Sequence, residues 1–488
     1  MRYLLGIDVG TTGTKTLLFR EDGKLIDQAY CSYETTVSQA GFSEQNPNDW
    51  WMAVIQTVRQ VCGTPELAQN TCAIALSTQG GTMVPVDENL EAVRPAIVWN
   101  DKRCSEQMKC FAQKFGSDFL YQKTGWHLIP GQNLLQIRWM KENEPQLFAK
   151  TRWFLSVPDY ISYKLTGILA IDPSNMGINQ LGDIRKCCYD PQLLEFAGIT
   201  ENQLPIILPS GSVIGQLSPN AATMLGLHPG VTLVSGAHDQ YAVALGAENC
   251  REGDILIGSG TCWVITGISN KPDFDSRLSQ SIAAVPGKWG SICSLPTGGV
   301  CLEWWRKNLT DRVDASCISY DEINKEVAKR KAAECGLFFF PFAGLSGCQK
   351  RLSKASFVGL DLFHDKYDMA RAIMEGVAYQ IVWMLESFNI KPSADGIKLS
   401  GGATKSRIWC QILADIADMP VVIPETADLA CVGAAILAGI GSNVFLDAND
   451  AYSRISMPKQ VIYPNPEMAR MYSNQKDKYR YYAKLLEG

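Results

Sequence analysis

The chain has 488 residues, 45 Lys and Arg against 50 Asp and Glu, a formal charge of −5, and 46% apolar against 19% charged residues. This is the balance of a mildly acidic globular protein, with room for two to four domains at roughly 100–200 residues each. It excludes an electrostatic case for nucleic acid or an anionic membrane as partner, and no stretch approaches the roughly 18 uninterrupted apolar residues of a membrane span.

The opening residues, Met1–Gly10, are interrupted by Asp8 before an apolar leader forms, so a cytoplasmic setting is expected. Tyr3–Asp8, Thr14–Arg20 and Lys24–Ser32 alternate as three strands, separated by Gly10-Thr11-Thr12-Gly13 and by Asp22-Gly23: a meander of hairpins. Asn46-Pro47 then supplies an N-cap and first helical residue, and Trp50, Trp51, Val54, Ile55, Val58 and Val61 form one helical stripe. Cys72–Ser77 is a buried strand ending in Thr78-Gln79-Gly80-Gly81, and a helix-rich region follows from Arg103. Val231–Gly236 is a further run of β-formers and leads into His238-Asp239-Gln240.

Near residue 250 the pattern restarts. Asp254–Ile257 and Cys262–Gly267 flank Gly258-Ser259-Gly260-Thr261, repeating the strand-turn-strand unit of Asp8–Lys15. A long helix follows (about Tyr367–Phe388), then a strand (Gly396–Leu399), Gly401-Gly402-Ala403, a helix (Lys405–Asp418), a strand (Val421–Ile423) and a small-residue helix (Ala430–Ile440). The pattern predicts two α/β lobes of related architecture, residues 1–248 and 249–488, with ligands held between them where the loops converge.

Gly6, Gly10 and Gly13 miss the G-x-G-x-x-G spacing, and a strand rather than a helix follows them. A dinucleotide fingerprint and a Walker A loop are both excluded. What remains is a Gly/Thr-rich turn offering N–H groups and hydroxyls to an anion, with Asp8 before it to hold a divalent metal and Lys15 after it to face a phosphate. Alone, such a loop is more often a plain hairpin turn. A second copy at Gly258–Thr261 changes that balance, because two facing turns suit a polyphosphate, whose transfer needs positioned donors and a metal. Asp239 reads first as an N-cap and second as a general base, roles that coexist. His238 reads as a packed, satisfied histidine. Gly401-Gly402-Ala403 suits close approach of a ring or ribose, with Ser406 in reach. The sixteen cysteines lack any C-x-x-C pair and the histidines lack zinc-site spacing, so the cysteines read as reduced small hydrophobes.

Taken together, Asp8–Lys15, Gly260-Thr261, Asp239-Gln240 and Gly401-Gly402-Ala403 resemble, in order and spacing, the FGGY family of carbohydrate kinases. Ala355–Leu360, Asp368-Met369 and Ala372–Gly376 look like its C-terminal pattern; Ser43–Pro47 with Trp50-Trp51, and Arg94–Asp101 with Arg103, look like its N-terminal lobe in the xylulokinase branch. The resemblance implies two ribonuclease-H-like, actin-like lobes around a cleft. ATP and Mg²⁺ are the implied cofactors, and the implied substrate is a small sugar, polyol or sugar acid, a xylulose-like ketose first among them. It leaves a homodimer open. Carried over, Asp239 is the base and, with Asp8, a metal ligand. Thr11, Thr12, Lys15, Gly260 and Thr261 surround the phosphates, and Gly298, Gly299, Gly401, Gly402, Ala403 and Ser406 line the nucleoside pocket.

Three departures stand out. Gly80-Gly81 occupies the substrate-binding place of the family's usual substrate-touching pair, so that either a larger substrate fills the vacated space or Gln79, Trp99, Asn100, Asp101 and Gln240 take over. Cys348-Gln349-Lys350-Arg351 replaces Glu-Arg-x-Pro, and Asn133-Leu134-Leu135-Gln136 stands where Pro-x-x-Lys is expected. The alternatives are a nucleotide-switch ATPase of the actin or chaperone type and a degenerate kinase retained for binding.

Overall fold

The computed structural model describes residues 1–38, 41–309, 318–330, 335–341, 354–425, 428–455 and 457–487. The segment Cys348–Arg351 lies outside them.

The meander opens the first sheet: β1 (Tyr3–Val9), β2 (Gly13–Arg20) and β3 (Leu25–Ser32). Helix α1 (Pro47–Val61) begins where the sequence indicates, Asn46 accepting from the Asn48 N–H and Pro47 needing no bond at the first helical position. Its apolar stripe, Trp50 and Trp51 included, packs on β1 and β2. Strands β4 (Thr71–Thr78), β5 (Val213–Gln216) and β6 (Thr232–His238) complete a six-stranded sheet in the order β5-β6-β4-β1-β2-β3. β1, β4 and β6 run parallel and are buried almost throughout, whereas the edge strand β3 is mostly polar and exposed. Helix α2 (Asp239–Gly246) leaves β6 directly.

The second sheet contains β7 (Ile255–Ser259), β8 (Trp263–Ser269), β9 (Ser279–Ile282), β10 (Trp289–Leu295), β11 (Ile397–Gly401), β12 (Val421–Pro424) and β13 (Lys459–Ile462), ordered β9-β10-β8-β7-β11-β12-β13. Apart from β9, every neighbour relation repeats the first sheet. Two antiparallel hairpin pairings lead to a central strand, two parallel steps follow, and an antiparallel edge strand closes the series. Helices α3 (Gly299–Asn308), α4 (Tyr320–Val327), α5 (Lys366–Leu385) and α6 (Arg407–Ala417) build the second core.

Helix α7 (Leu429–Gly441) is apolar all round and so must be buried on every side. Although it comes late in the chain, it packs against β1, β4 and β6 of the first sheet and across α2. The crossing is close: a Cβ on Gly433 would lie 2.0 Å from the Ala242 carbonyl oxygen, and one on Gly246 1.9 Å from that of Leu429. A shared core of Leu4, Leu17, Ala75, Ile268, Ile292, Val432 and Ala435 therefore joins the two sheets beneath the loops.

Candidate active site

In the first hairpin Asp8 of β1 pairs across the ladder with Lys15 of β2 and, on its other side, with Ser77 of β4. Ser77 Oγ donates to Asp8 Oδ1 at 2.7 Å. Burial pushes the Asp8 carboxyl up to about 7 despite that bond; the Asp428 and Asp239 carboxylates act in the same direction and Lys15 opposes them. Lys15 Nζ lies 2.6 Å from Asp428 Oδ2, at the N-cap of α7. Burial works against the Lys15 charge, yet the hydrogen bond to Asp428 holds its pKa above the ordinary lysine value. The lysine thus reaches the loop tied to the other half of the chain.

Side chains brace the turn. Gln79 is buried, its Nε2 donating to the Gly10 carbonyl and to Gln45 Oε1 and its Oε1 accepting from the Thr11 and Thr82 hydroxyls. Trp99 Nε1 donates to Thr11 Oγ1 at 3.1 Å, and the Tyr33 and Tyr30 hydroxyls donate to the Gly10 and Thr12 carbonyls. Thr12 is exposed at the tip.

This geometry corrects two expected substrate contacts. All four hydrogen-bonding positions of the Gln79 amide are taken within the protein, so it holds the loop. Asp101 is buried, Oδ1 accepting from the Arg103 N–H and Nε, Oδ2 from the Ser43 N–H and Arg103 Nη2. Arg103 also reaches Glu44 and stacks on Phe42 and Trp139. Asp101 therefore shapes the Trp99-Asn100 turn from behind. Trp99 and Asn100 remain exposed on it, and Gln240 is half-buried beside the base candidate.

Asp239 is the first helical residue of α2; His238 stands at the N-cap with no side-chain capping bond. The capping role expected for Asp239 is absent because the helix begins one residue earlier than that role requires. Asp239 Oδ1 is buried without a hydrogen-bond partner, 3.3 Å from His238 Nε2. His238 is packed as expected, but its Nδ1 has no partner, so it is not satisfied. A Cβ on Gly80 would lie 2.5 Å from His238 Cδ2 and 2.7 Å from Ile178 Cγ2; one on Gly81, at φ +71°, would lie 2.2 Å from Gln132 Oε1. The two glycines thus leave no vacancy: His238 and Gln132 occupy that space. Trp126 meets the His238 ring edge-on at a centroid distance of 5.9 Å, and its Nε1 is buried without a partner, as is Gln132 Oε1. Sequence reasoning missed Trp126 and Gln132, which lie on chain segments with no motif of their own.

The second hairpin borders a cavity of about 540 Å³ lined by Ser259, Gly260, Thr261, Gly299, Gly402, Ala403 and Ser406, together with the unforeseen Glu303, Tyr320, Asn324, Lys405 and Trp409. Gly299 and Val300 donate backbone bonds to the Gly260 and Thr261 carbonyls, and Ser259 Oγ ties the Ser400 carbonyl to the Ala403 N–H. Gly298 and Gly401 act by making room: a Cβ on Gly298 would lie 2.0 Å from Trp263 Cδ1, and Gly401 has φ +91°. Ser406 caps α6 and donates to Asn324 Oδ1 at 2.6 Å.

A duplicated mixed sheet with a charged loop in one half and a cavity behind the matching loop in the other defines an actin-like two-lobed phosphotransferase. The chain belongs to the FGGY family of carbohydrate kinases: its N-terminal domain profile matches residues 3–246 and its C-terminal domain profile residues 254–442. It is 29% identical to a probable L-xylulose kinase of Haemophilus influenzae, over 100% of this chain and 99% of the relative. It is 28% identical to a gluconokinase of Bacillus subtilis, over 92% and 90%. The crystal structure of xylulose kinase from Rhodospirillum rubrum superimposes with a TM-score of 0.92 at 25% identity, covering 100% of this chain and 99% of that one. The fold is therefore that of two actin-like lobes, and the protein is a carbohydrate kinase that uses ATP.

Proposed function

We propose that the chain transfers the terminal phosphoryl group of ATP to a hydroxyl of a small sugar or polyol, a xylulose-like ketose being the leading acceptor. The attacking oxygen forms a bond to phosphorus as the bond to the β-phosphate oxygen breaks; the hydroxyl proton passes to Asp239, and ADP leaves. Residues 1–248 hold the acceptor and residues 249–488 the nucleotide. Thr11, Thr12 and Lys15 approach the phosphates from one side, Gly260 and Thr261 from the other. The observation that carries this reading is Asp239, whose buried Oδ1 has no hydrogen-bond partner and stands at a helix start, 3.3 Å from His238 Nε2.

The carboxylates of Asp8 and Asp239 fit Mg²⁺, which is held through one or two carboxylates, water and substrate phosphates rather than a full protein cage. When bound, the ion neutralises charge on the β- and γ-phosphates. The protein's own part is to fix Asp8 through Ser77 and to keep Asp239 at the end of β6.

The test is ADP release measured with ATP and Mg²⁺ over a panel of ketoses, polyols and aldonates. Release that depends on a carbohydrate, with the phosphorylated sugar recovered, is expected. Slow release unchanged by every carbohydrate would favour a nucleotide switch instead.

A further inference from the structure

The relatives named above carry the names of acceptors of two different charges, a neutral ketose and an aldonate. Among the described residues, His238 Nδ1, Trp126 Nε1 against the His238 ring and Gln132 Oε1 against Gly81 are buried side-chain atoms without partners. A buried polar atom left unpaired costs free energy, so each is a place where a bound hydroxyl is favoured. All three side chains are uncharged hydrogen-bonding groups, offering a donor at Trp126, an acceptor at Gln132 and either at His238 according to its tautomer.

Among the described residues, the cations nearest this turn are already engaged. The Arg103 guanidinium is held by Asp101 and Glu44, that of Arg94 by Glu44 and Glu144, and the Lys15 ammonium by Asp428. Lys102, beside the same turn, is exposed and lays its stem along Gly41. Asp239 and Asp8 add no positive charge to the floor. An acceptor carboxylate placed among these groups would lose its hydration with none of these cations free to replace it.

His238 is central to this arrangement because Gly80 and His238 exclude each other's bulk. With a Cβ at position 80 only 2.5 Å from the imidazole, the ring holds its place because position 80 is glycine. Resting on the proposed function, we infer that the His238 imidazole, seated on Gly80 and flanked by Trp126 and Gln132, is the specificity-determining group of the acceptor site, and that with them it selects an uncharged polyhydroxylated acceptor over a sugar acid. His238 orients the hydroxyl next to Asp239, in place of a side chain from position 80.

The experiment uses the full chain with ATP and Mg²⁺, comparing neutral ketoses and polyols with the matching aldonates, and a set of substitutions at His238 and Gly80. His238→Phe keeps a ring against Gly80 and removes both nitrogens; the acceptor KM should rise about tenfold, the loss of one hydrogen bond to a buried group, while the dissociation constant for ATP changes less than twofold. His238→Asn, which returns a polar atom near the Nδ1 position, should recover part of that loss. Gly80→Ala should raise the acceptor KM in the wild-type background and do less in His238→Ala, where the contact with the ring is gone and only that with Ile178 Cγ2 remains. Aldonates preferred over neutral acceptors, or an unchanged acceptor KM in a folded His238→Phe protein, would overturn the inference while leaving the kinase reading intact. A wild-type protein that phosphorylates no carbohydrate would overturn the kinase reading and this inference with it.

Discussion

The two hairpin loops share a frame and differ in what they carry. In each, a central strand pairs antiparallel with the next strand and parallel with a later one, so that Asp8 lies between Lys15 and Ser77 just as Gly258 lies between Val264 and Ser400. The first position of the comparison is a buried acid beside a base; the second has no side chain and an aliphatic neighbour. Bracing differs likewise. Side chains from Gln79, Gln45, Trp99, Tyr30 and Tyr33 hold the first loop, whereas backbone N–H groups of Gly299 and Val300 and a single hydroxyl hold the second. One frame thus serves two tasks. The loop that faces chemistry concentrates charge, and the loop beside the cavity keeps its surroundings small so that a ligand approaches the backbone.

If that division is right, the largest effects lie on the charged side. Asp239→Ala should lower turnover by at least about a hundredfold, the scale of a lost general base, with ATP affinity and melting temperature little changed because the residue caps nothing. A variant that unfolds, or one that turns over normally, would remove Asp239 from the chemistry and break the comparison at its centre.

Asp8→Asn comes next and separates stability from activity. Burial raises the native carboxyl from the ordinary aspartate value of 3.8 to about 7. The native state therefore binds more protons than the unfolded chain between those values, and the stability this group contributes is fully present at low pH and lost as pH rises through about 7. At 1.36 kcal/mol per pH unit the loss is roughly 4 kcal/mol. Measured without Mg²⁺ or nucleotide, Asp8→Asn should raise the melting temperature, by more at pH 8 than at pH 5, while lowering turnover tenfold or more. A variant that melts earlier at pH 8 would mean that the buried charge is better compensated than Ser77 and Lys15 suggest.

Gln79→Ala tests the side-chain bracing. It removes four hydrogen bonds in a buried setting and should cost about 2–3 kcal/mol, read by denaturant unfolding, with turnover reduced through a loosened Thr11. Activity that survives while stability falls would show that the loop needs no brace to act.

What the sequence made legible follows from how local each signal is. Both hairpins, the Asn46-Pro47 helix start and the Gly401-Gly402 turn were readable because period and cap residues act within a few positions. The partners of Asp101 and Gln79 were not, since whether a carboxylate or amide is already satisfied depends on Ser43, Arg103 and Gln45 arriving from elsewhere in the fold. Helix α7 was recognisable as a small-residue helix, but nothing local says that it packs on the first sheet rather than the second. His238 was misjudged for a related reason: packing is visible in a pattern, whereas an unpaired Nδ1 is not. A pair of glycines where side chains are customary, with a histidine added next to the acid, was the available signal, and it becomes informative only when both are placed in one site.

The smallest effect is expected on the quiet side of the comparison. Ser259 Oγ donates to the Ser400 carbonyl and accepts from the Ala403 N–H at 3.1 Å, so one hydroxyl joins the hairpin to the turn that carries Gly402. Ser259→Ala leaves that N–H without its partner, at a cost of about 1 kcal/mol. Because Gly299 and Val300 still bind the loop through the backbone, the cavity should keep its outline, and ATP affinity should fall only severalfold with the acceptor KM unchanged. The ranking against Gln79→Ala is what matters. Were Ser259→Ala as damaging, or were its effect to fall on the acceptor, the second loop would be held by side chains like the first, and the contrast in bracing would not explain why one loop bears charge and the other bears none.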